Sequence, residues 1–473
     1  MLDNFWDHVD KYRKLGFDPI RWISTCGNEI DELLFRDALE DVKKNSIKIS
    51  PSWFDSFYHI DGKNPELTRR VYRLQEPAPD KGLEVKRALA VFRIHSGTAE
   101  SKPALSALLD TFLKSFSAKV AAACSSAMLT EHAQAQFAMF DYIGLHRGDK
   151  VGFMPAVTAA TQATDITRDP DADVHSSIAM TSAIDTLNLL GCGVPSSFKL
   201  FPIYDAPSEE ILDRIRSNLD AYTSRYNLAM EDYSSLKVNS LFYGTTAMAT
   251  TPKELPTRYD QIQEGMEIVV TNQFGGLPAL SLYTLARMDP EKTVAKYESA
   301  GISFESLTKA KDEAVKNLSE PHFALGKIIA KYSPDFGSPF DSSLHVAAAY
   351  PVGARGVLSL NNLAGLANAQ LAITGLPLRH EDMARFATKE FLVENATASL
   401  NGCHLLVAAA PVADLIVEEL RKHNFSPEKI GSVAKKGPVS VSFGSMLKPE
   451  DYVASKARLD RLLAAPVSPQ QAP

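Results

Sequence analysis

Cysteine is scarce in this chain. Four occur among 473 residues, Cys26, Cys124, Cys192 and Cys403, and no two form a C-x-x-C pair. That excludes a zinc ribbon, a dithiol redox motif and a disulfide scaffold. Buried, inert thiols are the ordinary reading for each. Long apolar runs are also lacking, since none reaches the roughly 18 residues of a membrane span. Met1 to Arg13 alternates charge with aromatics and has no signal-peptide core. No membrane partner is expected, and the cytoplasm is the simplest location. There is no excess of positive charge: 50 Lys and Arg face 57 Asp and Glu, a net charge of −7. A global nucleic-acid footprint is thereby disfavoured. No G-x-x-x-x-G-K-[ST] loop and no G-x-S-x-G elbow occur, which argues against a P-loop NTPase and an α/β-hydrolase nucleophile.

What is present is a globular composition, 45% hydrophobic and 23% charged, with length for about two or three domains. Residues 1–84 form an N-terminal extension that holds all three tryptophans. Its apolar spacing (Phe5, Val9, Tyr12; Ile30, Leu33, Leu34, Ala38) predicts helix. Residues 85–255 read as a first α+β unit. Strands are expected at Val85–Ile94, Asp141–Leu145, Val151–Val157, Ser197–Tyr204 and Leu241–Thr250. Helices are expected at Pro103–Ser117, Ala172–Leu190 and Glu209–Tyr226, the last with Ile211, Ile215, Leu219 and Tyr222 on one stripe. Thr251 to Pro256 marks a boundary.

Residues 256–445 read as a second unit. Its expected strands are Met266–Thr271, His345–Ala349, Gln370–Thr374, His404–Ala410, Lys429–Val433 and Val439–Phe443. Its expected helices follow Gly275-Gly276 and run on to about Tyr332, then Leu358–Asn368 and Val412–Lys422. Residues 446–473 are a tail whose Pro/Gln-rich end predicts disorder. The pattern is α+β in two units rather than one βαβ series. Gly275-Gly276 offers N–H groups to an anion or simply makes a tight turn. Cys403 and His404, as strand neighbours, point to opposite faces and read as structural.

Three stretches carry a family resemblance. Asp169-Pro170 precedes the helix Ser177 to Gly191. Phe242-Tyr243-Gly244-Thr245-Thr246-Ala247-Met248-Ala249-Thr250-Thr251 reads as a last strand of the first unit. Gly265–Thr271, Asn395–Ala410 and Ile430–Val433 follow in order. Their collinearity resembles the selenophosphate synthetase (selenide, water dikinase) family of the AIR synthase-like ATP-binding superfamily. The resemblance spans about residues 94–444. It implies a two-domain AIR synthase-like fold: an N-terminal four-stranded sheet that pairs into a barrel on dimerisation, and a C-terminal α/β sandwich. It also implies a homodimer, ATP and Mg2+ as cofactors, and phosphoryl transfer from ATP to selenide. The N-terminal extension adds a candidate surface for a protein partner.

The family positions can be read off residue by residue. The lysine of its N-terminal loop falls close to Lys102, whose other reading is a solvated surface lysine; the loop's cysteine and most of its glycines are absent from Ser96–Lys102. The first metal-binding aspartate matches Asp141, otherwise a turn acid. The second falls near Thr161, with Asp165 as a shifted substitute. The third falls on Thr186, with Asp185 beside it, one residue or about 100° around the helix. The preceding asparagine is matched by Ser182. Nucleotide and metal would thus meet Asp141, Thr161, Ser182, Asp185 and Thr186, with Asp141 and Asp185 as the metal carboxylates. The second unit's aspartate-glycine motif falls on the acid-free Tyr350–Gly356, and its threonine-serine-glycine-glycine run on Thr397–Gly402.

Charge decides the expectation. A polyphosphate is held by divalent ions on several carboxylates, and most of those carboxylates are gone. Losing such a clamp costs several kcal/mol of transition-state stabilisation. The sequence therefore predicts a selenophosphate synthetase-like protein with a degenerate site and weak or absent catalysis. A non-catalytic scaffold, an ATP-dependent phosphotransferase on another small acceptor, and an unrelated two-unit α+β protein stay open.

Overall fold

The computed structural model describes residues 5–15, 165–232 and 241–453, apart from 289, 391, 392 and 394. It also describes the backbone of strands between 49 and 74 and between 143 and 161. Helix α1 (Phe5–Lys14) buries Phe5, Val9 and Tyr12, the expected helical stripe. Farther along the extension, between 49 and 74, the described elements are strands rather than helix, while the helical reading of Ile30 to Ala38 lies outside the described residues. Strands β1 (Ile49–Pro51), β2 (Ser56–Ile60), β3 (Pro65–Arg69) and β4 (Tyr72–Leu74) form two nested antiparallel pairs, β1 with β4 and β2 with β3. Aromatic and β-branched residues such as Phe57, Tyr58 and Ile60 favour strand.

The first unit is built on β5 (Ile143–His146), β6 (Phe153–Thr161), helix α2 (Asp173–Leu189), β7 (Lys199–Asp205), helix α3 (Glu209–Tyr226), β8 (Ala229–Met230) and β9 (Phe242–Met248). The sheet order is β5-β6-β9-β7-β8, antiparallel except for β7 with β8. Five strands are described in this sheet, one of them the two-residue β8 beside β7; the strand expected at Val85–Ile94 lies outside the described residues. Helix α3 buries Leu212, Ile215, Leu219 and Tyr222 and stops at Asn227, which takes the left-handed conformation at φ 54°. Helix α2 is different. It buries residues all round its circumference, including His175, Thr181, Asp185 and Asn188. A helix of that pattern is covered on every side. Here the sheet and α3 lie on one side and helices of the second unit on the other.

The second unit contains β10 (Glu267–Val270), β11 (Phe274–Gly275), α4 (Leu277–Met288), α5 (Pro290–Ser299), α6 (Phe304–Ser319), α7 (Phe323–Lys331), β12 (Ala348–Pro351), α8 (Ser359–Ala367), β13 (Ala369–Ile373), β14 (Leu378–Arg379), α9 (Glu381–Lys389), β15 (His404–Ala408), α10 (Ala410–Lys422), β16 (Glu428–Lys436) and β17 (Ser440–Phe443). Six strands run β12-β15-β10-β16-β13-β17, with only β13 and β17 parallel. The central strands are buried on both faces. Ile268, Val270, Leu405 and Val407 meet Leu360 and Leu363 of α8, while Val269 and Leu406 meet Ile328 of α7 and Ile416 of α10. That double burial is why His404 to Ala408 reads as a continuous apolar run. No helix among the described residues is long and apolar enough to cross a membrane.

Candidate functional site

The described part of the predicted site lies on α2, where it meets the second unit. Ser182 and Thr186 sit one turn apart and are half-buried. The Ser182 hydroxyl donates to the Ile178 carbonyl at 2.8 Å, and that of Thr186 to the Ser182 carbonyl at 3.4 Å. Both hydroxyls thus bond back along their own helix. Thr161 ends β6, paired with Tyr243 of β9; its side chain, Lys102 and Asp141 lie outside the described residues.

Asp185 faces the second unit and is buried. Its Oδ1 accepts the Gly402 N–H at 2.9 Å. His404 Nε2 lies 2.9 Å from Oδ2, yet its N–H direction misses that oxygen, so the contact is electrostatic rather than an aligned hydrogen bond. His322 Nδ1 stands 3.6 Å from Oδ1, beyond hydrogen-bond length. The Asn317 amide nitrogen lies 3.2 Å from His322 Nε2, on the far side of the ring. Burial pushes the Asp185 carboxyl up, but charge on His404 and the contacts of His322 outweigh it and hold the group well below the ordinary carboxylate range.

Local structure fixes this geometry. Thr271, just after β10, donates its hydroxyl to the Gly402 carbonyl at 2.6 Å and accepts the His404 N–H at 2.9 Å. Gly402 has φ 76°, and a Cβ there would lie 3.3 Å from the His322 ring. Only glycine suits both the backbone and the space. The two imidazoles meet different oxygens of Asp185. Among the described residues, no group of three or more His, Cys, Asp or Glu side chains is arranged to hold a metal ion.

The acids leading into α2 face protein cations. Asp165 is buried, and its Oδ1 accepts the Thr167 N–H at 3.2 Å and hydroxyl at 2.5 Å. Its Oδ2 lies 3.6 Å from the Lys311 ammonium of α6, itself buried above the Tyr283 ring at 4.8 Å and 2.7 Å from Asp312. Asp169 meets Lys11 at 2.6 Å and His8 at 3.2 Å, both from α1, and the Lys11 hydrogen bond holds its carboxyl below the usual range. Asp171 meets Arg214 of α3. Behind them, Tyr12 donates to the Arg168 carbonyl and touches His175 Nε2, both at 2.8 Å. Burial pushes the His175 imidazole down to about 4.

The polar run of the second unit is likewise consumed inside the protein. Thr397 donates its hydroxyl to Asn395 Oδ1 at 2.5 Å and accepts the Val357 N–H at 2.9 Å. Ser399 donates its N–H to the Gly353 carbonyl at 2.8 Å. The Gly275 N–H goes to the Thr397 carbonyl at 3.0 Å and to Ser399 Oγ at 3.1 Å. A Cβ on Gly276 would come within 2.7 Å of the Leu400 side chain. Gly275-Gly276 is therefore a tight turn against Thr397–Leu400, and the Gly275 N–H is not presented to an anion. Cys403 donates its thiol to the Asn272 carbonyl, and burial pushes that thiol up to about 12.

The structure brings Ser182, Asp185 and Thr186 onto one helix, and of the three it is Asp185 that bonds to the second unit, while the two hydroxyls bond within the helix. His322, Gly402, His404 and Lys311 were not singled out as partners. Their only local signals were a histidine after Pro321 and a glycine two residues before His404.

No family model matches the chain, and no curated protein matches it. Solved structures resemble it in outline. Thiamine-monophosphate kinase from Stenotrophomonas maltophilia K279a is 17% identical, with 67% of this chain and 96% of that chain covered at a TM-score of 0.43. The hydrogenase maturation protein HypE in complex with ATP is 15% identical, with 63% and 83% covered at 0.42. Thiamine monophosphate kinase (ThiL) from Aquifex aeolicus, complexed with AMPPCP and TMP, is 14% identical, with 71% and 92% covered at 0.45.

Proposed function

We propose that this chain is a divergent selenophosphate synthetase-like protein of the AIR synthase type whose phosphotransfer is weak or absent, and which acts by association. The observation that carries the reading is the state of Asp185. It is the one described carboxylate at the predicted metal helix positions, and both its oxygens face protein groups. A magnesium ion needs free, hard oxygen ligands. Asp165, Asp169 and Asp171 face protein cations as well. Among the described residues this donor set does not fit a magnesium–triphosphate cluster.

Association is the remaining capacity. Among the described strands, the short β5 stands at one end of the first sheet. Pairing of two such edges in a homodimer would remove exposed strand edges. The extension supplies a second surface for a protein partner. The test is turnover. Purified protein with ATP, Mg2+ and selenide or sulfide should release AMP and phosphate no faster than a protein-free control. Turnover that disappears in Asp141→Ala would overturn the reading and return the phosphotransferase. A sizing column on the full chain and on a chain lacking residues 1–84 tests the association.

A further inference from the structure

We infer that the contact between the two units is a lock: it makes them one folding and moving body and leaves no hinge at their boundary. Three kinds of contact converge there. The first is backbone on backbone. A Cβ on Gly193, just beyond α2, would lie 2.2 Å from the Lys327 nitrogen and 2.6 Å from the Gly326 carbonyl carbon. One on Gly326 would lie 2.3 Å from the Cys192 carbonyl oxygen. Neither glycine has positive φ, so what each supplies is room for α7 to touch the segment after α2. The second is shared core. Leu189 of α2 packs with Leu325, Ile328 and Ile329 of α7, and Ile178 packs with Leu277, Leu280 and Leu318 of α4 and α6. Phe198 and Phe323 meet edge to face at 5.3 Å. The third is buried charge, Asp185 with Gly402 and His404, and Asp165 with Lys311.

The boundary itself is tied down. Units that swing are joined by an exposed linker with few contacts. Here Glu254 N–H donates to the Pro334 carbonyl at 2.9 Å, and Phe336 N–H to that of Pro252 at 3.0 Å. Ala349 N–H donates to Pro256 at 2.7 Å. The segment between the units is thus bonded into the second one. A fixed junction suits a protein that presents one rigid surface. It denies the molecule the closure around a ligand that many enzymes use to exclude water.

Urea unfolding of the full chain, read by pulsed hydrogen exchange, tests the lock. The reporters are the peptides Glu209–Tyr226 and Ala410–Lys422, one helix in each unit. In the unaltered chain both should open at one midpoint. Gly326→Ala forces a Cβ into the Cys192 backbone, and Asp185→Asn weakens the buried charge contact; either should separate the two midpoints. Gly365→Ala, where an added Cβ meets nothing, should keep them together. If Gly326→Ala does not fold, Asp185→Asn decides alone. Separate midpoints in the unaltered chain, or coincident midpoints in every folded variant, would overturn the lock.

Discussion

Changing Asp185 alone tests how the α2 carboxylate is held. Asp185→Asn keeps the volume and an acceptor for the Gly402 N–H, now 2.9 Å away, but removes the charge beside His404 and His322. Hydrogen bonds to charged groups contribute about 1.5–3 kcal/mol, so this variant should lose stability of that order at pH 7. Asp185→Ala also leaves the Gly402 N–H and the His404 ring buried without a partner, a change of about 3–5 kcal/mol. The pH dependence has a definite sign. The folded carboxyl is held below its ordinary value. Its contribution is therefore present above the unfolded carboxyl pKa of about 3.9 and lost as pH falls through the folded one. The gap between the unaltered chain and Asp185→Asn should be flat from about pH 5 upward and close in stronger acid. The urea midpoint of the first unit, followed at the peptide Glu209–Tyr226 at several pH values, measures it. Equal midpoints at pH 7, or a gap that widens in acid, would refute this reasoning.

Three further outcomes are expected. His175 is held neutral by burial, down to about 4, so its contribution is present above the unfolded value near 6.5 and is lost as pH falls from there toward 4. That loss is about 3 kcal/mol between pH 7 and 4, and an acid titration of stability should show it shrinking in His175→Gln. Lys311→Met leaves the Asp165 carboxylate buried and without its ammonium, costing about 3–5 kcal/mol; Asp165→Asn in the same chain should recover part of it, as read by urea unfolding. In a Cys26→Ser/Cys124→Ser chain, the buried Cys192 and Cys403 should stay silent to a thiol reagent at pH 8 and react together once urea unfolds the protein.

The sequence discloses what is local. The boundaries of α3 follow from one apolar stripe and from Asn227, which tolerates the left-handed turn that ends the helix. The strand at β15 follows from an apolar run bounded by Gly402. Expectation and structure part where a distant neighbour decides. The strand expected at His345–Ala349 lies instead at Ala348–Pro351; as an edge strand pairing with β15, it tolerates Pro351. The short helix α9 begins after a left-handed His380, which carries no familiar start signal, and it went unread. At the site, the step of one residue between Thr186 and Asp185 was legible, because helical rotation alone aims them apart. What Asp185 meets was not. His322 and His404 reach it through the packing of α2 against β15 and the start of α7, which no spacing along the chain encodes.

Among the described residues, the carboxylate and backbone groups aligned with a phosphate site are already taken up by the protein. Calorimetric titration of the full chain with a non-hydrolysable ATP analogue, with and without Mg2+, addresses it most directly. Magnesium should add no affinity. Binding that tightens strongly with Mg2+, and that is lost in Asp141→Ala, would contradict it.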